Sequence, residues 1–112
     1  MATPLNRFKT VTTELTTSNT IAYTAPTGFT GIILMAQVSN VTTSAETVTF
    51  SHYDTSAATE TELLKDFEIP GNDAASMITG KLILEDGDSV KAFAGANNNL
   101  KLTLSILESL DA

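Results

Sequence analysis

The chain has no cysteine and no tryptophan among its 112 residues, and it has only two tyrosines, one histidine and six basic side chains. Each shortage removes a class of function. Without cysteine there is no disulfide framework, no thiolate nucleophile and no thiolate metal site. Without tryptophan, and with only Tyr23 and Tyr53, the flat aromatic platforms that usually hold sugars are scarce. Six Lys and Arg against thirteen Asp and Glu leave a formal charge of −7. Affinity for nucleic acid comes mainly from basic groups that release counterions from phosphate, so neither nucleic acid nor an anionic membrane is an expected partner. The longest unbroken apolar run covers residues 32–36, far short of a membrane span, and residues 1–7 contain no apolar signal-peptide core.

The lone histidine, His52, has neither a Cys nor a second His to complete a typical zinc site, and no nucleophile motif accompanies it. It reads as a partly exposed strand residue. Glu85, Asp86 and Asp88 bring three carboxylates within four positions, the raw material of a calcium site, but their spacing is not that of an EF-hand loop. They read as a solvated Asp-Gly turn with at most weak calcium binding. Gly28 and Gly31 precede a strand and not a helix, so they form no phosphate loop. The sequence therefore predicts no catalytic residue, no metal and no cofactor: the chain is not read as an enzyme.

What the chain does contain is Thr, about one residue in six, a β-branched type suited to half-exposed strand faces. Its 42% apolar content is that of an ordinary globular domain with one core. Residues 10–24 carry spaced apolar points, and 25–28 (Ala-Pro-Thr-Gly) form a turn. Residues 31–42 give the strongest strand signal, with Ile32, Leu34, Ala36 and Val38 expected on one face and Ile33, Met35, Gln37 and Ser39 on the other. Residues 47–53 alternate around Val48 and Phe50. Residues 62–69 alternate less cleanly, with Leu63, Phe67 and Ile69 expected inward and a short helix over 60–67 as the competing reading. Residues 77–84 form a strand broken at Gly80, followed by the turn at 85–88. Residues 89–94 and 100–107 add two more strands, the last with Leu100, Leu102, Leu104 and Ile106 on one strictly apolar face.

About eight short strands, with turns near every tenth residue and no amphipathic helix, predict an all-β antiparallel β-sandwich, of which the jelly roll is one form. The division is a single domain over residues 10–112, preceded by an arm at 1–9 that lacks strand periodicity. That arm holds Leu5, Arg7, Phe8 and Lys9, apolar and basic groups together, and is the candidate partner-binding segment.

The run from Thr24 to Ile33 (Thr-Ala-Pro-Thr-Gly-Phe-Thr-Gly-Ile-Ile), then Val38-Ser39-Asn40 before a Thr/Ser/Ala-rich strand, resembles small virion structural proteins of tailed bacteriophages, especially those of marine bacteria. The segment Leu82-Ile83-Leu84-Glu85-Asp86-Gly87-Asp88-Ser89-Val90, then Ala94-Gly95-Ala96-Asn97 and the close from Leu102 to Glu108, is similar to the same family. The resemblance covers residues 20–108. It implies a virion component: a capsid decoration (cement) protein held to the major capsid protein or to other virion proteins, or else a neck, tail or fibre-associated piece. It also implies a homo-oligomer, with a trimer as first choice because capsid docking sites have local symmetry. A carbohydrate-binding adhesion module of a tail fibre is the alternative.

Overall fold

The computed structural model describes residues 6–111. Within them lie nine strands: β1 (Asn6–Glu14), β2 (Thr20–Thr24), β3 (Phe29–Asn40), β4 (Glu46–Asp54), β5 (Thr59–Ile69), β6 (Ala74–Ser76), β7 (Leu82–Leu84), β8 (Ser89–Ala94) and β9 (Leu100–Leu110). They form two antiparallel sheets. The first runs β1-β9-β3-β6 with β7 also paired to β3; the second runs β2-β8-β4-β5. β6 lies against residues 37–39 of β3 and β7 against residues 31–33, so the two are one interrupted strand. Counted as such, the described residues have the eight strands and the strand order of a jelly roll. The interruption is wider than Gly80 alone. Met77 leaves the ladder after donating its N–H to Ala36 O, and its side chain is buried.

The core lies between the sheets. Ile33, Ala36, Val38, Leu100, Leu102, Leu104 and Ile106 come from the first; Tyr23, Val48, Phe50, Val90, Ala92 and Ala94 come from the second. Burying each of the larger aliphatic side chains is worth about 1.5–3 kcal/mol. β9 realises its alternation along its length, since every second residue from Leu100 to Glu108 is buried.

β3 does not keep one phase. Ile33, Ala36 and Val38 are fully buried while Leu34 is 36% exposed, so the expected common face of Ile32, Leu34, Ala36 and Val38 is split, with only Ala36 and Val38 turned to the core. Ile33 sits opposite Ile106 and Met35 opposite Ser105, with the register shifting between them. One extra residue in a strand turns every residue on its far side to the other face.

β5 departs from its expected pattern for a related reason. Its ladder with β4 shifts register between Val48 and Phe50 and again between Phe50 and Ser51, and Asp66 takes a positive φ of 49°. Leu63 and Phe67, expected inside, are exposed; Leu64 packs against the core instead, and Ile69 is buried as expected. The helix considered over 60–67 is strand. At the amino end, β1 already includes Asn6 to Lys9, so that part of the expected arm is an ordered strand. Leu5 lies outside the described residues.

The loops are held by side chains. Buried Asn40 donates to Ser44 O and Ile69 O and accepts from the N–H and hydroxyl of Thr42. Gly71 packs so closely on this loop that a Cβ there would meet the Thr43 carbonyl at 2.4 Å. Gly87, at φ +85°, supplies the left-handed turn that Asp86-Gly87 predicts.

Candidate functional site

Strand alternation splits the predicted contact residues. β1 pairs with β9 so that Arg7 faces Glu108, Phe8 faces Leu107 and Lys9 faces Ile106. Ile106 and Glu108 belong to the inner face, so Arg7 and Lys9 turn inward and Phe8 turns out to solvent.

The inward pair serves a buried carboxylate. Glu108 continues the apolar register of β9 one step beyond Ile106, and its side chain is fully buried. Arg7 Nε donates to one carboxylate oxygen; the Tyr23 hydroxyl, from the opposite sheet, donates to the other, and Lys9 Nζ stands 3.7 Å away. The Arg7 guanidinium also lies over the Phe29 ring, 4.2 Å from its centroid. Burial alone would push the Glu108 carboxyl up. The hydrogen bonds from Tyr23 and Arg7 and the charges of Lys9 and Arg7 outweigh it and hold the group below the usual carboxylate range. Burial, and next the hydrogen bond to Glu108, push the Tyr23 phenol well above its ordinary value. Both carboxylate oxygens are thus occupied from within the fold, and the cluster bolts β1 and β9 to β2 at the end of the core.

A second polar cluster lies where β4 ends. Oxygens of Asp54, Glu85 and Asp88 come within 4.8 Å of one another, whereas Asp86, which sequence spacing grouped with the last two, instead accepts the Gly28 N–H. Asp88 is buried and not solvated, because its carboxylate accepts the N–H groups of Thr55 and Glu85. Asp54 likewise caps its turn through Ser56 and Ala57, and these hydrogen bonds hold its carboxyl below the usual range. His52 is half-buried with Nε2 3.4 Å from Asp88. The carboxylates at the centre of this group are committed to shaping turns.

The outer faces of the two sheets differ in kind. On the first sheet Phe8 lies opposite Leu107, Leu107 opposite Ile32, and Ile32 opposite Ile83. Four apolar side chains thus form a row across four strands. Phe8 is 77% and Ile83 61% exposed, and Leu34, pushed out by the β3 bulge, adjoins Phe8. The flanking rows are neutral: Asn6, Ser109 and Thr30 on one side; Thr10, Ser105 and Met35, then Thr12, Thr103, Gln37 and Ser76, on the other. Charge borders these rows at both ends: Glu14 and Lys101, paired to each other, at one, and Asp111, which accepts the Thr30 hydroxyl, at the other. On the second sheet, Glu60, Glu62 and Glu68 stand in register with Tyr53, Ser51 and Thr47. Lys91 lies 3.4 Å from Glu60 and over the Tyr53 ring.

The sequence reading found Phe8 but missed its companions. Ile32, Leu107 and Ile83 each sit in apolar runs where facing depends on register, and a lone pattern does not reveal register. Glu108 was legible in principle, as the one carboxylate at the inward parity of β9.

No protein-family model matches the chain, and no curated protein is similar to it in sequence. Among solved structures, a chain from Bacillus endospore appendages, a family of disulfide-linked pili, shares the fold with a TM-score of 0.55 at 10% identity, over 96% of this chain and 88% of that one. At such identity the likeness is one of fold.

Proposed function

We propose that this chain is a structural subunit that acts by contact with other proteins in a larger assembly. The observation that carries this reading is the outer face of the first sheet, where four successive rows carry no charged residue and one of them is apolar throughout, on a protein of net charge −7. An isolated acidic domain has no need of a charge-free sheet face, and contiguous exposed apolar surface marks interaction sites. The fold shared with a pilus chain supports a role for this architecture in built structures. This chain has no cysteine, so it cannot form the disulfide links named for that pilus family. The resemblance of residues 20–108 to phage virion proteins makes a capsid decoration protein on the major capsid protein the specific form of the proposal, with the virion as its location. The test is mass spectrometry of purified particles from a culture that encodes the chain. The expected result is the chain present in a fixed ratio to the main coat protein; recovery only outside the particle fraction overturns the reading.

A further inference from the structure

We infer that the outer face of the first sheet is where two copies of this chain pair, face to face about a two-fold axis. The inference rests on the reading of the chain as an assembly subunit and names a partner: a second copy.

The chemistry of the face selects that partner. A basic partner would be read by acidic groups and an acidic one by basic groups, yet the paired positions of this face offer neither over four successive rows; its charges stand at the two ends, Glu14 and Lys101 neutralising each other at one and Asp111 on the Thr30 hydroxyl at the other. What it offers is the row Phe8, Leu107, Ile32, Ile83 with Leu34 beside it, set among hydroxyls. The surface that best matches such a face is another that is apolar and uncharged, and every copy of the chain carries one. Self-contact through the outer face of the second sheet is disfavoured, because its Glu60, Glu62 and Glu68 would appose like charges on two chains of charge −7. Contact through the first sheet keeps those glutamates on opposite outer sides, and stacked sheets pack at about 10 Å.

The area is sufficient. The 9 residues of β1, 11 of β9, 12 of β3 and 3 each of β6 and β7, at about 3.3 Å each on strands about 4.8 Å apart, outline roughly 600 Å² per copy, or ~1,200 Å² for the pair, at the lower edge of the range of stable specific interfaces. A face that meets its own copy is isologous and closes at two, so this inference departs from the trimer expected from the resemblance.

Analytical ultracentrifugation of the full chain tests it. The expected species has twice the 11.8 kDa chain mass, and its association is unweakened by salt because no charge pair holds it. Phe8→Glu with Ile83→Glu should raise the dissociation constant at least ~100-fold, as should Thr12→Glu with Gln37→Glu, which adds charge without removing any apolar group. Ile21→Glu, an exposed residue of β2, should leave the mass unchanged. Unaltered pairing in both double variants overturns the inference, as does a wild-type monomer up to ~1 mM. A monomer that nevertheless sediments with particles overturns the inference while leaving the assembly reading intact. A dimer lost in both double variants supports the pairing, even if it never meets a particle and so counts against the assembly reading.

Discussion

The Tyr23 hydroxyl donates to the Glu108 carboxylate, a hydrogen bond that joins β2 of one sheet to β9 of the other. Since Arg7 takes the second oxygen, removing the carboxylate strands two donors. Glu108→Ala should cost about 3 kcal/mol in urea unfolding. Glu108→Gln, which keeps volume and one acceptor, should cost less. Equal losses would show that the cluster matters only as filler.

The same cluster sets a pH dependence. Glu108 is held low in the folded state, so its contribution is complete above the unfolded carboxylate value of ~4.3 and is lost as pH falls through the lower folded value. Tyr23 is held high, so its contribution is complete below ~10 and is lost as pH rises beyond that. Glu108→Gln should therefore show a flatter fall in stability than wild type between about pH 4.5 and 3, measured by chemical unfolding at each pH. Parallel curves would contradict the assignment.

The β3 bulge gives a phase test. Ile33→Ala should cost about 2–4 kcal/mol because Ile33 is fully buried, whereas Leu34→Ala should cost under ~1 kcal/mol. The reverse ranking is what an unbulged strand would give.

Two glycines should behave oppositely. Gly71→Ala forces a methyl into the Thr43 backbone and should lower stability by more than about 2 kcal/mol, while Gly80, where an added Cβ would meet nothing within 4 Å, should accept Ala within ~0.5 kcal/mol or gain slightly. Thermal melts of the two variants measure the contrast.

Removing residues 1–9 should lower the melting temperature by more than about 8 °C, because it strips Arg7 and Lys9 from buried Glu108 and shortens β1. An unchanged melt would mean that this segment is a loose arm after all.

Much of the architecture is readable from the chain alone. Val48 and Phe50, and the series from Leu100 to Ile106, alternate with period two, and each is buried. Asp86-Gly87 announces its turn. The misreadings fall on Leu34, Leu63 and Phe67, all beside register shifts. A bulge is decided by how one strand fits its neighbour, and a single strand's pattern carries no trace of it. The candidate contact face is less legible than the fold. Phe8 stands out as an apolar residue near the amino end, but grouping it with Arg7 and Lys9 by proximity in sequence joins side chains that alternation sends to opposite faces.

By itself the sequence determined the all-β class, the absence of thiol chemistry, the acidic charge and the inward series of the last strand, because these follow from composition and from the two-residue period of an extended chain. Only the tertiary structure decided which residues share a face. Glu108 meets Tyr23 across 85 positions of chain, and Phe8, Leu107, Ile32 and Ile83 line up through three separate ladders. Their register is fixed by the packing of the whole core, and no local stretch of sequence encodes it.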